Sequence, residues 1–321
     1  MPYYLGIDLG GTNIAAAVLD EEYRIMAEAA RKTACPRPAE AIMDDMAAAA
    51  QEAAQKAGIR LQDVEYVGVG CPGSVNPDSG DIQYANNLDF HNVPMGKHLG
   101  DRLGRPIRVE NDANAAAYGE YLAGAAAQAD IRNFVAITLG TGVGGGVILG
   151  GRIYSGSNHA GGELGHMVIQ AGGRPCTCGR KGCWEAYASA TGLIQSTREA
   201  MRADPDSALW QTAEGGLSGV NGRTAFDGMR AGDGTAARVV REYVEALAAG
   251  LTNIINIFQP DLVSLAGGIS KEGDALLLPL REIVDREDYA RFGTQRTRIA
   301  IAELGNDAGV IGAALLGVSK A

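Results

Sequence analysis

The chain has 321 residues, 46% hydrophobic and 21% charged, a balance that can bury a core and excludes an intrinsically disordered protein. Its formal charge is -10 at pH 7, from 28 Lys and Arg against 38 Asp and Glu, which disfavours nucleic acid and anionic membrane surfaces as partners. Glycine is the outlier at 45 residues; with 11 prolines and no three-residue period the excess is neither collagen nor linker, so the glycines mark particular backbone places.

In chain order, Tyr3 to Asp8 reads as a strand, Leu-Gly-Gly-Thr as a tight turn, and Ala15 to Leu19 as a returning strand, together a hairpin. Ala39 to Ala57 is an alanine-rich helix with Ile42, Met43, Met46 and Ala50 at helical spacing, stopped by Gly58. Val64 to Val69 is a strand running into Gly70-Cys-Pro-Gly73, and Ile107 to Val109 is another, leading through Glu-Asn-Asp into a helix over Ala113 to Leu122. Phe134 to Leu139, the turn Gly140 to Gly146 and Val147 to Leu149 repeat the opening pattern about 130 residues later, which predicts two similar α/β halves facing across a cleft. Arg238 to Phe258 is a helix ended by Pro260, Leu262 to Leu265 a strand closed by Ala-Gly-Gly, and Ala308 to Leu316 a small-residue helix. Residues 203–235 show no periodicity and read as a loop-rich excursion.

The first residues lack a basic segment and reach an aspartate at position 8, which points away from a secretory signal and toward the cytoplasm. The uncharged run Phe134 to Gly151 is long enough for a membrane span but holds seven glycines, so it reads as strand and loop.

Gly-x-Gly-x-x-Gly occurs at 68/70/73 and at 140/142/145, but a dinucleotide fingerprint requires a following helix and extended or turn-like sequence follows both. No Gly-Lys-Ser/Thr loop occurs either. What remains is a pair of hairpin turns whose N–H groups, with the hydroxyls of Thr12 and Thr141, make concave anion sites. Asp8, at a strand end beside the proposed phosphates, fits a Mg²⁺ lying between them.

Five cysteines is an odd number, and Cys176, Cys178 and Cys183 crowd into a glycine-punctuated loop. With His166 they form a Cys₃His set, the donor chemistry of a closed structural zinc site rather than a disulfide framework. Cys35 and Cys71 read as ordinary small residues, and His159 as a loop or core histidine. A zinc ion on one ring nitrogen fixes the other as a donor, so His166, with nearby Glu163 and Glu185, is organised to meet a polyhydroxylated ligand.

Asp8-Leu-Gly-Gly-Thr-Asn13, Glu110-Asn-Asp-Ala-Asn-Ala-Ala, Leu139-Gly-Thr-Gly-Val-Gly-Gly, Gly162-Glu-Leu-Gly-His166 and Cys176-Thr-Cys-Gly-Arg-Lys-Gly-Cys-Trp-Glu185 resemble, in order from about residue 3 to 316, the ROK family of repressors, open reading frames and sugar kinases. The glycine turns alone indicate the wider actin-like ATPase superfamily; the cysteine segment is specific to the family. Within it the chain is most similar to bacterial ATP-dependent glucokinases. The resemblance implies an actin-like, ribonuclease H-like fold of duplicated α/β domains, a small one over 1–119 with the C-terminal helix at 307–321, and a large one over 120–306 carrying the zinc loop.

It further implies transfer of a phosphoryl group from ATP to the 6-hydroxyl of a hexose, with glucose first and mannose, N-acetylmannosamine, N-acetylglucosamine, fructose or allose as alternatives. Asp112 is the implied general base, whose bland alternative is a helix-capping aspartate. Asn111, Glu163, His166 and Glu185 are the implied sugar ligands, with Gly73 through its backbone and Asn87 on the sugar side. Asp8, Gly10, Gly11, Thr12, Asn13, Thr141 and Gly142 take the ATP phosphates, and Gly267 and Gly268 lie beside the adenosine. Polyphosphate is an alternative donor, although no basic channel favours it, and a homodimer or tetramer is expected. A repressor of the same family is expected to carry an N-terminal helix-turn-helix, whereas this chain enters its first strand at Tyr3.

Overall fold

The computed structural model describes residues 2–127 and 131–320. The first part of the chain runs through strands β1 (Tyr3–Leu9), β2 (Asn13–Leu19) and β3 (Ile25–Lys32), helix α1 (Ala39–Lys56), strands β4 (Val64–Cys71), β5 (Ser74–Asn76), β6 (Asp81–Ala85) and β7 (Phe90–Val93), helix α2 (Met95–Leu103), strand β8 (Ile107–Asn111) and helix α3 (Asp112–Ala123). The remainder continues with β9 (Phe134–Leu139), β10 (Val143–Leu149), β11 (Arg152–Ile153), α4 (Glu185–Ala188), α5 (Ala190–Ala203), α6 (Leu209–Thr212), α7 (Thr224–Arg230), α8 (Gly234–Phe258), β12 (Leu262–Ala266), α9 (Asp274–Glu287), β13 (Arg298–Ile301) and α10 (Ala308–Ala314).

Two five-stranded sheets have the same internal order. One reads β3-β2-β1-β4-β8 and the other β11-β10-β9-β12-β13, so each begins as a meander of three strands and ends on two strands reached by crossovers. In the first sheet β1 pairs antiparallel with β2, and parallel with β4, which pairs parallel with β8. In the second, β12 and β13 are parallel. The duplication expected from the two glycine turns is thus a duplication of whole sheets. A small antiparallel sheet, β5-β6-β7, follows β4.

The chain divides into two compact units, Met1–Phe134 with Gly146–Gly162 and Ala302–Ala321, and Val135–Gly145 with Glu163–Ile301. In the first unit α1 buries Ile42, Met43, Met46 and Ala50 on one face against Leu5, Ile7, Leu9 and Val67, as its spacing predicted. Helix α10 lies directly on this sheet. A Cβ on Gly6 of β1 or Gly68 of β4 would overlap the α10 backbone at Val310 and Ala313, and one on Gly312 would overlap the Ala115 carbonyl of α3. Part of the glycine excess therefore serves close helix–sheet and helix–helix contact rather than ligand approach.

The expectation of a loop-rich segment over 203–235 is corrected. Helices α6 and α7 lie within it, and α8 starts at Gly234 rather than Arg238 because Asp233 accepts from the Ala236 N–H at 2.6 Å as its N-cap. The same carboxylate takes the Ser207 hydroxyl and the Ala208 N–H at 2.9 and 2.6 Å, which gathers the segment around it. The glycines of 203–235 hid these helices because they sit at their ends, as Gly215, Gly216 and Gly232 do with positive φ. No helix among the described residues is long and apolar enough to cross a membrane.

Candidate active site

The first glycine turn closes when the Gly10 N–H donates to the Asn13 carbonyl at 2.9 Å. Thr33, just past β3, holds it from the side: its hydroxyl donates to the Gly10 carbonyl at 2.6 Å and its N–H to the Thr12 carbonyl at 2.9 Å. Asn87, assigned from sequence to the sugar side, stands next to this turn, since a Cβ on Gly11 would lie 3.5 Å from its Nδ2.

Asp8 is the next-to-last residue of β1, before the turn, and Asp112 begins α3. Gly70 sits beside both, where a Cβ would be 3.7 Å from the Asp112 Cα and 3.8 Å from an Asp8 carboxylate oxygen. Burial, and then the charge of Asp112, push Asp8 up to about 6. Burial also raises Asp112, opposed by the Ala113 N–H that donates to its Oδ1 at 2.9 Å. Two half-buried carboxylates on either side of Gly70 ionise together more readily when a cation or donor compensates them, which fits a divalent ion at Asp8.

Asn111, not Asp112, caps α3. Its Oδ1 accepts from the Ala113 and Asn114 N–H groups at 3.0 and 3.2 Å, and its Nδ2 donates to the Gly73 carbonyl at 3.0 Å. The capping alternative for Asp112 is thereby reassigned to its neighbour, leaving Asp112 in the first turn of the helix, where the macrodipole favours its charge. Glu110, which sequence reasoning quoted only as part of a motif, is buried behind them and accepts from the Asn111 N–H and the Asn114 Nδ2 at 2.9 and 3.0 Å. Burial pushes Glu110 up, against the pull of those two donors and of His159.

In the second unit, Gly140 donates its N–H to the Gly142 carbonyl at 3.0 Å, and β10 resumes at Val143, four residues before the strand predicted to start at Val147. The segment after the cysteine loop holds this turn: Ala190 N–H to the Gly140 carbonyl at 2.9 Å, the Thr191 hydroxyl to the Thr141 carbonyl at 2.7 Å, and the Val143 N–H to Glu185 Oε2 at 3.1 Å. Gly267, with φ +92, packs on the end of β9, where a Cβ would overlap the Leu139 carbonyl, while Gly268 faces open space.

His166, Cys176, Cys178 and Cys183 come together with all ligand atoms within 4.8 Å of one another. Cys176 Sγ is 3.7 Å from His166 Nδ1 and Cys178 Sγ 3.6 Å from Cys183 Sγ, spacings that suit the edges of a tetrahedron with metal–sulfur bonds of about 2.3 Å. Burial and the neighbouring sulfurs push the Cys183 thiol up, whereas hydrogen bonding, from the Arg180 backbone first, holds the Cys178 thiol down; a bound cation would compensate thiolates gathered this closely. The loop is shaped for it by Gly179 and Gly182, both at positive φ, the latter tight against the Gln170 carbonyl. Glu185 joins this cluster to the glycine turn, its Oε1 being 3.7 Å from Cys176 Sγ while Oε2 holds Val143. Glu163 is exposed at the start of the short turn that carries His166. Thr33 and Thr191 are the residues sequence reasoning missed, because each reaches a turn 21 or 50 residues away and nothing local marks it.

Paired sheets of one strand order, each with a glycine turn between its first two strands, define the duplicated α/β fold of the actin-like ATPases. The profile of the ROK family matches residues 4–320. A glucokinase of Streptomyces coelicolor is 36% identical over 313 residues, 97% of this chain and 96% of that protein. An N-acetylmannosamine kinase of Citrobacter koseri is 31% identical over 315 residues, covering 97% of both. The crystal structure of a ROK family glucokinase from Streptomyces griseus in complex with glucose and AMPPNP is 37% identical, covers 98% of each chain and superposes with a TM-score of 0.76. The chain belongs to the ROK family.

Proposed function

We propose that this protein is an ATP-dependent hexose kinase converting glucose to glucose 6-phosphate. The observation that carries the reading is Asp112: a half-buried carboxylate of raised proton affinity in the first turn of α3, positioned by the Asn111 cap and close to Asp8 beside Gly70. A sugar hydroxyl is a poor nucleophile until a carboxylate takes its proton, and burial moves Asp112 toward the range where it does so well at neutral pH.

Asp112 accepts the proton of the 6-hydroxyl as that oxygen attacks the γ-phosphorus of ATP. The bond to the bridging oxygen breaks and ADP leaves with its electron pair. Asn111, Glu163, His166 and Glu185 hold the sugar hydroxyls, with Gly73 and Asn87 on the same side. Gly10, Gly11, Thr12, Asn13, Thr141 and Gly142 receive the phosphates, and Gly267 and Gly268 flank the adenosine. Asp8 is the residue that would hold Mg²⁺, which would neutralise charge on the phosphates. His166, Cys176, Cys178 and Cys183 would hold zinc, which would supply rigidity and leave the other ring nitrogen of His166 as a fixed donor. The family resemblance further supports a cytoplasmic homodimer, a small domain over 1–119 with 307–321 and a large one over 120–306.

A coupled ADP-release assay over a panel of hexoses and amino sugars, with Mg²⁺ and either ATP or polyphosphate, tests the reading. Glucose with ATP is expected to give the highest kcat/KM. The similarity to an N-acetylmannosamine kinase supports a second reading, an amino-sugar kinase, which that sugar's ranking first would establish. Absence of turnover on every sugar overturns both. Asp112→Asn is expected to lower kcat about 10³-fold while sugar affinity changes less than about threefold.

A further inference from the structure

Strand β3 ends on Lys32, whose register partner across the sheet is Asn13, the residue that closes the first glycine turn. The lysine Nζ donates to Asn13 Oδ1 at 2.8 Å. Its backbone is fixed relative to the turn, because the following residue, Thr33, ties both its N–H and its hydroxyl to turn carbonyls.

The charges on this segment are otherwise committed. Arg31 pairs with Glu52 at 2.9 Å and Arg37 with Asp45 at 2.5 Å. Among the described residues Lys32 has no carboxylate within ion-pair distance, and the acceptor it has is a neutral amide. An exposed lysine ordinarily gains little from lying along its own sheet edge. Here it projects a full positive charge to the rim of a turn that otherwise offers N–H dipoles and the Thr12 hydroxyl, in a protein whose net charge of -10 opposes the approach of a polyanion. An ammonium is a compact point charge with rotatable donors, suited to a phosphate oxygen that arrives from solvent.

We propose that Lys32 is a phosphate-contacting residue of the nucleotide site. On binding, Nζ passes from Asn13 Oδ1 to a terminal phosphate oxygen of the donor. It sets the affinity for the nucleotide and its salt dependence without touching the sugar. This rests on the reading of the protein as an ATP-dependent kinase, and it adds to the two glycine turns a cation that neither motif contains.

The test is titration of the full chain with Mg²⁺·AMPPNP by calorimetry at two ionic strengths, together with KM values for ATP and glucose, for the wild type, Lys32→Met and Lys32→Arg. Lys32→Met is expected to weaken AMPPNP binding and raise the ATP KM about fivefold to tenfold, to flatten the salt dependence, and to leave the glucose KM unchanged; Lys32→Arg restores affinity to within about twofold. Equal AMPPNP affinity and equal salt slope in wild type and Lys32→Met, with unchanged melting temperature, overturn the assignment while leaving the kinase reading intact. A wild type that binds no nucleotide and turns over no sugar overturns the kinase reading itself.

Discussion

Gly10–Thr12 and Gly140–Gly142 join the first two strands of two sheets with one strand order, yet different parts of the chain hold them. The first is held by the strand next to it: Thr33, directly after β3, donates to the carbonyls of Gly10 and Thr12. The second is held by the segment after the cysteine cluster, with Glu185, Ala190 and Thr191 each bonded to one of its backbone groups. A hairpin turn offers a defined set of N–H groups only where its backbone is held rigid, and the two halves of a duplicated fold hold theirs by different contacts. In one half the sheet itself supplies the rigidity. In the other the segment after the cysteine cluster does, which links the second turn to the geometry of that cluster.

That contrast is open to attack. The largest expected effect is from metal removal. Stripping zinc from the His166–Cys176–Cys178–Cys183 cluster with a chelator is expected to abolish nearly all turnover, about 10²-fold or more, and to raise hydrogen exchange at Thr141 to Val143 while Gly10 to Asn13 keep their protection. Equal exchange in both turns would show that the second does not depend on the cluster.

Glycine substitution sharpens the same point. A Cβ on Gly142 would overlap Glu185 Oε2, whereas one on Gly140 meets nothing within 4 Å. Gly142→Ala is therefore expected to displace Glu185, lowering kcat/KM about tenfold or more and costing about 1–3 kcal/mol of stability by chemical denaturation. Gly140→Ala is expected to leave stability within about 0.5 kcal/mol, so any loss of nucleotide affinity in it reports contact with the ligand rather than damage to the fold.

At the first turn the comparison is read through thermal stability. Asp8 has its folded value raised to about 6, so the folded state favours the protonated form. Its contribution to stability is present below the ordinary carboxylate range and is lost as pH rises through about 6. Asp8→Asn is expected to raise the Tm of the ligand-free protein by a few degrees at pH 7.5 and by little at pH 4.5, while abolishing kinase activity. A variant that is less stable than the wild type at pH 7.5 would refute the account of Asp8 as a strained, cation-demanding carboxylate.

Much of this was legible along the chain because its signals are local. The hairpin turns, the α1 periodicity, the strand-to-helix junction at Asn111-Asp112 and the three-cysteine loop each lie within a short window, where spacing dictates geometry. The weaker readings failed where glycine carries two meanings. Over 203–235 the glycines read as loop but bound short helices, and Gly6, Gly68 and Gly312 look like any other glycine although each admits a helix against the sheet or against α3. Asp112 and Asn111 could not be told apart as the cap, since both residue types favour that position and only the backbone geometry separates them.

The sequence alone determined two glycine turns, a clustered Cys₃His set and a carboxylate at a helix start, because residue type and short-range spacing decide those. Only the tertiary structure decided what supports them. Thr33, Thr191, Glu185 and Lys32 act on turns through contacts made by strand register and loop return, and those come from sheet order rather than from any pattern a short stretch of chain can carry.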